Sequence, residues 1–334
     1  MIFGFIAFLQ SLVYQYGTIL FEKHYGLFID KETKAHAVHK IPTPRVGGIG
    51  VFLAFSITLA YVLPEFLWFI YSSAIIFCFG LYEDWDGDTS KFYRLTAMGI
   101  ATVVAISFSG YVADNSEFFM LPYPIAVAFT IFAVIGMSSA INFIDGLNGL
   151  ASGVAMISLI AFASLSFKYD DIPMLYICLI TFGSVLGFYV WNYPYGKIFL
   201  GDGGAYFLGF LLAMISIALS ARHIEISLWY TLATLAYPVI ETLVTIQRRI
   251  KRKKKNGTPF FEAEKVHLHT LKFKRQTRNN ASASFKLLIL HGEISIVAFL
   301  VHKNIVALVL LICLSYVVYM YKYTKIVRFK NIRK

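Results

Sequence analysis

Residues 123–167 read YPIAVAFTIFAVIGMSSAINFIDGLNGLASGVAMISLIAFASLSF, and Asp145 is their one charged side chain. At 1.5 Å of rise per helical residue, the runs 123–141 and 150–167 are each long enough for the hydrocarbon core of a bilayer. Between them the turn INFIDGLNGLASG (141–153) holds Asn142, Asp145, Asn148 and three glycines. Apolar span, polar turn, apolar span: the stretch predicts two membrane helices joined at one face. The question it leaves is why a carboxylate and two amides stand there.

The same pattern runs from end to end. Hydrophobic residues make up 58% of the 334 and charged residues 15%, with a mean hydropathy of +0.66. Soluble domains are about half apolar and a quarter charged, so a soluble fold is excluded. We expect an all-α polytopic bundle of about eleven spans, ten on a stricter count. They fall near 2–21, 46–63, 66–82, 92–110, 123–141, 150–167, 172–191, 204–220, 227–247, 283–301 and 304–321. The first run lacks preceding basic residues and a small-residue cleavage site, so it reads as a retained helix and not a signal peptide. Cys78, Cys178 and Cys313 all sit inside apolar runs and read as packing residues. No repeat or linker divides the chain, so 1–334 reads as one domain.

Charge orients the bundle. Alternate loops, beginning with the one after the first span, hold nearly all the Lys and Arg; the most basic is 248–282. The opposite loops contribute only Lys168, Arg222 and Lys303. The N-terminus is therefore expected outside and the C-terminus in the cytoplasm. The motifs KIPTPRVGG, GLYEDWDGD, NFIDGLNG, FLGDGGA and FEAEKVHLHT all fall on the cytoplasmic side. The basic run RRIKRKKK reads as a topology determinant that touches anionic headgroups, not as a nucleic-acid site.

These residue types suggest a chemistry. Glu83 and Asp84 abut the end of the third span, where carboxylates are costly unless paired, solvated or bound to a cation. Adjacent carboxylates are the hard oxygen ligands that Mg²⁺ takes together with phosphate oxygens. Asp202, at the start of the eighth span, reads either as an N-cap or as part of an anion-friendly helix start. The glycines beside it, and those of the VGG and DGLNG turns, read as room for a ligand or as helix packing. His267 and His269 lack a third soft ligand nearby, so they read as an exposed polar loop or as phosphate contacts. Carboxylates for a cation, glycine turns for phosphate and basic groups for further negative charge suit phosphoryl transfer.

At this point the motifs resemble a family, the bacterial polyprenyl-phosphate N-acetylhexosamine-1-phosphate transferases. The resemblance runs from about Lys40 to His269 and comprises KIPTPRVGG, GLYEDWDGD, NFIDGLNGLASG, FLGDGGAYFLG, YPVIETLVTIQRR and PFFEAEKVHLHT in family order. It implies transfer of a sugar-1-phosphate from a UDP-sugar to undecaprenyl phosphate in the plasma membrane, releasing UMP, with the site on the cytoplasmic face. It also implies Mg²⁺, or Mn²⁺ in its place, held by Asp202 with Asp84, and catalytic roles for Glu83, Asp84 and Asp145. Asn142 matches a residue lining the cleft. Gly146, Leu147 and Asn148 match a uridine-binding turn, with Phe199 placed to stack on the base. Lys40 and Thr43 match positions near the nucleotide phosphates, and His267 and His269 match a motif near the diphosphate and sugar. The partners implied are the polyprenyl phosphate, the UDP-N-acetylamino sugar, the bilayer and a second copy in a homodimer.

Three positions depart from the family pattern: Glu83 replaces the first acid of an Asp-Asp pair, Asn148 replaces an Asp, and Thr270 replaces a further His. The first shifts weight to Asp84, and the second removes a metal role at 148. The context of HLHT looks more like the branch that uses UDP-GlcNAc or a related sugar than the lipid I-forming branch. The rival class is a transporter, which would place ionisable groups at mid-bilayer in repeated halves, with an inactive scaffold as a third reading. Glu241, Lys286 and Glu293 are the charges inside spans; Glu241 lies in a motif, Lys286 is near enough to an end to snorkel, and Glu293 has no assigned role.

Overall fold

The computed structural model describes residues 1–30, 43–87, 89–114, 121–257 and 266–328. Lys40, Asp88 and Lys265 lie outside the described residues. Among those described are α1 (Ile2–Tyr25), α2 (Gly47–Val62), α3 (Trp68–Asp86), α4 (Lys91–Ser109), α5 (Tyr123–Ile144), α6 (Leu150–Lys168) and α7 (Ile172–Asn192). They continue with α8 (Gly201–Arg222), α9 (Leu228–Thr234), α10 (Ala236–Asn256), α11 (Leu268–Lys272), α12 (Asn280–Leu300) and α13 (Ile305–Arg328). A two-residue antiparallel ribbon pairs β1 (Ile29–Asp30) with β2 (Thr43–Pro44).

The fold is the expected polytopic all-α bundle. Among the described residues, eight helices are long and apolar enough to cross a membrane: α1, α4, α5, α6, α7, α8, α12 and α13. Of the other expected spans, α2 is a shorter apolar helix and α3 ends in three acids. The ninth, expected as one helix over 227–247, is broken into α9 and α10 at Leu235. Pro238 supplies the cause, because it lacks an N–H and its ring clashes with the carbonyl four residues back, that of Thr234.

The bundle is built around α8, in which every residue from Gly201 to Leu219 except Asp202 is buried. Glycines set how closely its neighbours come. A Cβ on Gly48 of α2 would stand 2.5 Å from Gly204 Cα, and one on Gly80 of α3 would stand 2.5 Å from Gly203 Cα. Both contacts are of the small-residue kind that lets membrane helices touch backbone to backbone. Gly48, Gly203 and Gly204 therefore pack helices; the reading of these glycines as room for a ligand does not hold. The outer faces of α1 (Phe5, Leu9, Val13) and α13 (Leu310, Leu314, Val317) are exposed and apolar. That suits a lipid solvent, where no hydrophobic penalty attaches to them.

Candidate active site at one end of the bundle

Three polar elements meet where α3 ends and α8 begins. The chain enters α8 through Gly201, which has φ +78°, a conformation that costs glycine little. There is also no room for a side chain, since a Cβ would overlap the Arg45 carbonyl and stand 2.6 Å from Asp84 Oδ2. The segment ahead of α2 is pinned alongside: Phe199 N donates to Pro44 O at 2.8 Å, Gly47 N to Phe199 O at 2.8 Å and Gly48 N to Leu200 O at 2.9 Å. These backbone bonds deliver Arg45 to the start of α8.

Asp84, from the last turn of α3, faces the same point. Its Oδ2 accepts from Gly203 N at 3.1 Å, so it satisfies one of the orphan amides of α8 from across the helix boundary. Asp202 sits in the first turn of α8, past the N-cap residue Leu200, which removes the N-cap reading. Arg45 Nη2 lies 3.7 Å from Asp84 Oδ1 and 3.9 Å from Asp202 Oδ2. Asp84 Oδ1 is buried and accepts no hydrogen bond. The acids of α3 project past its apolar part. There burial first, and then the neighbouring Asp202 charge, push Asp84 up to about 7 against the opposing pull of Arg45.

Asp145 belongs to the same field. It ends α5 as the C-cap residue, and burial pushes it up to about 7, with Arg45 lowering and Asp202 raising it further. Asn142, one turn earlier, donates to Tyr206 Oη at 3.0 Å, and Tyr206 donates to Glu83 Oε2 at 3.2 Å. Glu83 is also held by Arg94, from Nε at 3.1 Å and from Nη2 to the other oxygen. Both oxygens of Glu83 are thus engaged, while Asp84 keeps one bare. The two neighbouring acids have different employments.

The histidine motif closes another side. Glu241 Oε1 accepts from His267 Nδ1 at 3.1 Å and from Leu268 N at 3.2 Å, which places the His267 proton on Nδ1. His269 stacks on His267 with ring centroids 5.4 Å apart. A Cβ on Gly146 would stand 2.7 Å from His269 Nε2, so the DGLNG turn rests against this imidazole. Burial pushes His269 down to about 4, making it a neutral hydrogen-bonding group at pH 7 and not a cation. Arg249 lies over the Phe143 ring at 5.4 Å, adding a guanidinium beside the turn.

The expected site residues are therefore not all in one place. Asp84, Asp202 and Asp145 gather around Arg45; Asn142 and Glu83 join through Tyr206; Gly146, His267 and His269 form the adjoining wall. Thr43 and Leu147 are buried, and Phe199 is half-buried, its backbone paired to Pro44 and Gly47. Asn148 is buried too: its N–H donates to Asn280 Oδ1 at 2.8 Å and its Nδ2 to Pro194 O at 2.9 Å. Arg45, Arg94 and Tyr206 were missed, although Arg45 lies inside KIPTPRVGG. The signal was the acid pair itself, which at the end of a span demands cationic partners.

Mg²⁺ fits this donor set. Among the described residues no three Asp, Glu, His or Cys groups converge as a metal cage. Mg²⁺ does not ask for one, being held by one or two carboxylates with substrate phosphates and water. A bare buried carboxylate oxygen facing a second carboxylate is what such a site would offer.

Residues 66–220 match the model for Glycosyl transferase family 4. A probable undecaprenyl-phosphate N-acetylglucosaminyl 1-phosphate transferase of Bacillus subtilis is 28% identical, over 70% of this chain and 66% of its own length. A phospho-N-acetylmuramoyl-pentapeptide-transferase of Lactococcus lactis is 32% identical, over 72% and 76%. A decaprenyl-phosphate N-acetylglucosaminephosphotransferase of Mycobacterium leprae is 30% identical, over 70% and 67%. The alignments thus span about two thirds of the Bacillus and Mycobacterium proteins. Fold, site and relatives define the class, a multi-pass membrane phosphosugar transferase. Within it, the chain belongs to glycosyl transferase family 4.

Proposed function

We propose that the protein transfers an N-acetylhexosamine-1-phosphate from a UDP-sugar to undecaprenyl phosphate, at the cytoplasmic face of a bacterial plasma membrane. An oxygen of the lipid phosphate attacks the sugar-linked phosphorus, the bond to the UMP oxygen breaks, and a new diphosphate bond replaces the old one. The observation that carries the reading is the Asp84–Asp202 pair facing one guanidinium, with Asp84 Oδ1 left bare.

Asp84 and Asp202 would hold Mg²⁺, which when bound neutralises charge on the donor diphosphate. Arg45 and the His269 side supply further contacts to phosphate and sugar, with Gly146 letting the DGLNG turn pack against His269. No general base is required, because a phosphomonoester is largely dianionic at pH 7. An apolar groove of about 480 Å³ supports a lipid acceptor. It runs between α5, α8, α9 and α10, from Trp229 to Thr242 and Ile246, with Phe129, Met137 and Leu243 in its wall.

The donor is read as UDP-GlcNAc or a related N-acetylamino sugar, as in the name of the Bacillus relative. A second reading, with UDP-MurNAc-pentapeptide as donor, is favoured by the higher identity to the Lactococcus protein. UMP release by the purified full chain, given undecaprenyl phosphate, Mg²⁺ and each donor in turn, decides between them. A chelator arm tests the metal. Silence with every donor from folded protein would overturn the proposal.

A further inference from the structure

Arg45 occupies an unusual position for a site that is to receive a divalent cation. Its backbone is fixed by the pairing of Pro44 and Gly47 with Phe199 and by a bond from its own N–H to Phe28 O at 3.0 Å. Its carbonyl abuts Gly201, where no side chain fits. The guanidinium is therefore delivered between Asp84 and Asp202 by main-chain structure. Its distances of 3.7 and 3.9 Å are those of charge attraction, longer than a hydrogen bond. The Arg45 side chain is 27% exposed while that of Asp84 is 2% exposed. The carboxylate is enclosed, while the guanidinium is partly open to the outside of the site.

We propose that Arg45 is an internal counter-ion that holds the Asp84–Asp202 pair apart until a divalent cation arrives, and then turns to the donor diphosphate. The inference rests on the metal role given above to Asp84 and Asp202. A buried carboxylate and a partly exposed one side by side repel, and one guanidinium placed against both relieves that repulsion. A divalent cation between the same oxygens makes the guanidinium a repelled neighbour. Its planar fork of donors then matches phosphate oxygens, which arginine grips bidentately. One side chain would so keep the empty site open and help fill it.

The two roles make opposite demands, and that separates them from a merely structural arginine. Removing Arg45 leaves the carboxylates free for metal, so Arg45→Gln is expected to bind Mn²⁺ more tightly than wild type. The tightening, read by electron paramagnetic resonance on full-length protein without substrate, should be on the order of tenfold. With saturating Mg²⁺ the same variant should show a raised KM for the UDP-sugar in UMP release. Arg45→Lys, which keeps the charge and loses the fork, should leave Mn²⁺ affinity near wild type and still raise KM. Asp202→Asn in the Arg45→Gln background should abolish the tight binding, placing the ion between the acids. Equal or weaker Mn²⁺ binding by folded Arg45→Gln overturns the inference, as does absence of binding in every variant. Tightened binding without turnover of any donor would sustain the counter-ion and sink only the proposed reaction.

Discussion

The two ends of the bundle each hold a buried aspartate, and the two are treated differently. At the far end Asp171 caps α7 and accepts from Arg222 Nε at 2.6 Å and Nη2 at 3.0 Å, from His223 Nε2 at 2.8 Å and from Met174 N at 3.2 Å. Burial alone would raise it, but Arg222 and His223 hold its carboxyl below the usual range. At the near end Asp84 has a backbone bond on one oxygen, nothing bonded to the other and a guanidinium at 3.7 Å. A saturated carboxylate is finished as structure. An unsaturated one at a cluster of charged groups is what a ligand-binding site would keep.

The comparison breaks first at Asp202 and Asp84. Asp84→Ala, Asp145→Ala and Asp202→Ala should each lower UMP release by about 100- to 1,000-fold or more, with melting in detergent little changed. Full turnover in any of them removes that residue from the site. Asp171→Ala should do the reverse. It strands Arg222 at a partly exposed position, costing about 3 kcal/mol of stability, while turnover per folded molecule stays at the wild-type value.

Glu83 tests whether neighbours in sequence share a role. Because Arg94 and Tyr206 already engage both its oxygens, Glu83→Gln should lower turnover by roughly tenfold through misplacement, short of the loss at Asp84. A double-mutant cycle with Arg94→Gln should show strong coupling in stability. Additive effects would mean that Glu83 acts on the substrate directly.

Acid sharpens the comparison further. His269 has a folded value of about 4 against 6.5 unfolded. Between those values the unfolded chain binds a proton that the folded chain refuses, so the stability from His269 is present above about 6.5 and lost as pH falls toward 4. Asp84 and Asp145, raised to about 7, act oppositely and lose stability as pH rises across the same window. In chelator, His269→Gln should therefore be less acid-sensitive than wild type when thermal melting is followed from pH 7 to 4.5. An unchanged profile would mean that His269 is not held neutral by burial.

Much of this was legible in the sequence because membrane helices announce themselves by length and apolarity. Among the described residues eight of the expected spans are helices long and apolar enough to cross a membrane, and the motif residues described cluster at one end. What the spans could not carry was the break before Pro238, since hydropathy is blind to a missing N–H. The partners within the site were hidden for a different reason. Arg45 meets Asp84 and Asp202 across long separations in the chain, and Arg94 belongs to the Lys and Arg residues that topology alone explains. A residue with one sufficient explanation attracts no second one. For the glycines, ligand room and helix packing were both open, and Gly48 and Gly203 serve helix contacts.

Asn148 carries the smallest effect and the finest distinction. By resemblance it belongs to a uridine-binding turn, yet here its N–H donates to Asn280 and its amide nitrogen to Pro194 O. Those bonds tie the turn to the start of α12 and to the segment that leads into α8. If that is its main work, Asn148→Ala should cost about 1 kcal/mol of stability and leave the KM for the UDP-sugar within about twofold. Its Oδ1 accepts no bond, however, and a bare acceptor is what a base-binding residue would keep for the single ring N–H that uridine offers. A KM raised tenfold with unchanged melting would therefore assign Asn148 to the nucleotide. It would also extend the rule drawn from Asp84, that the unsatisfied atom marks the ligand, from a carboxylate to an amide.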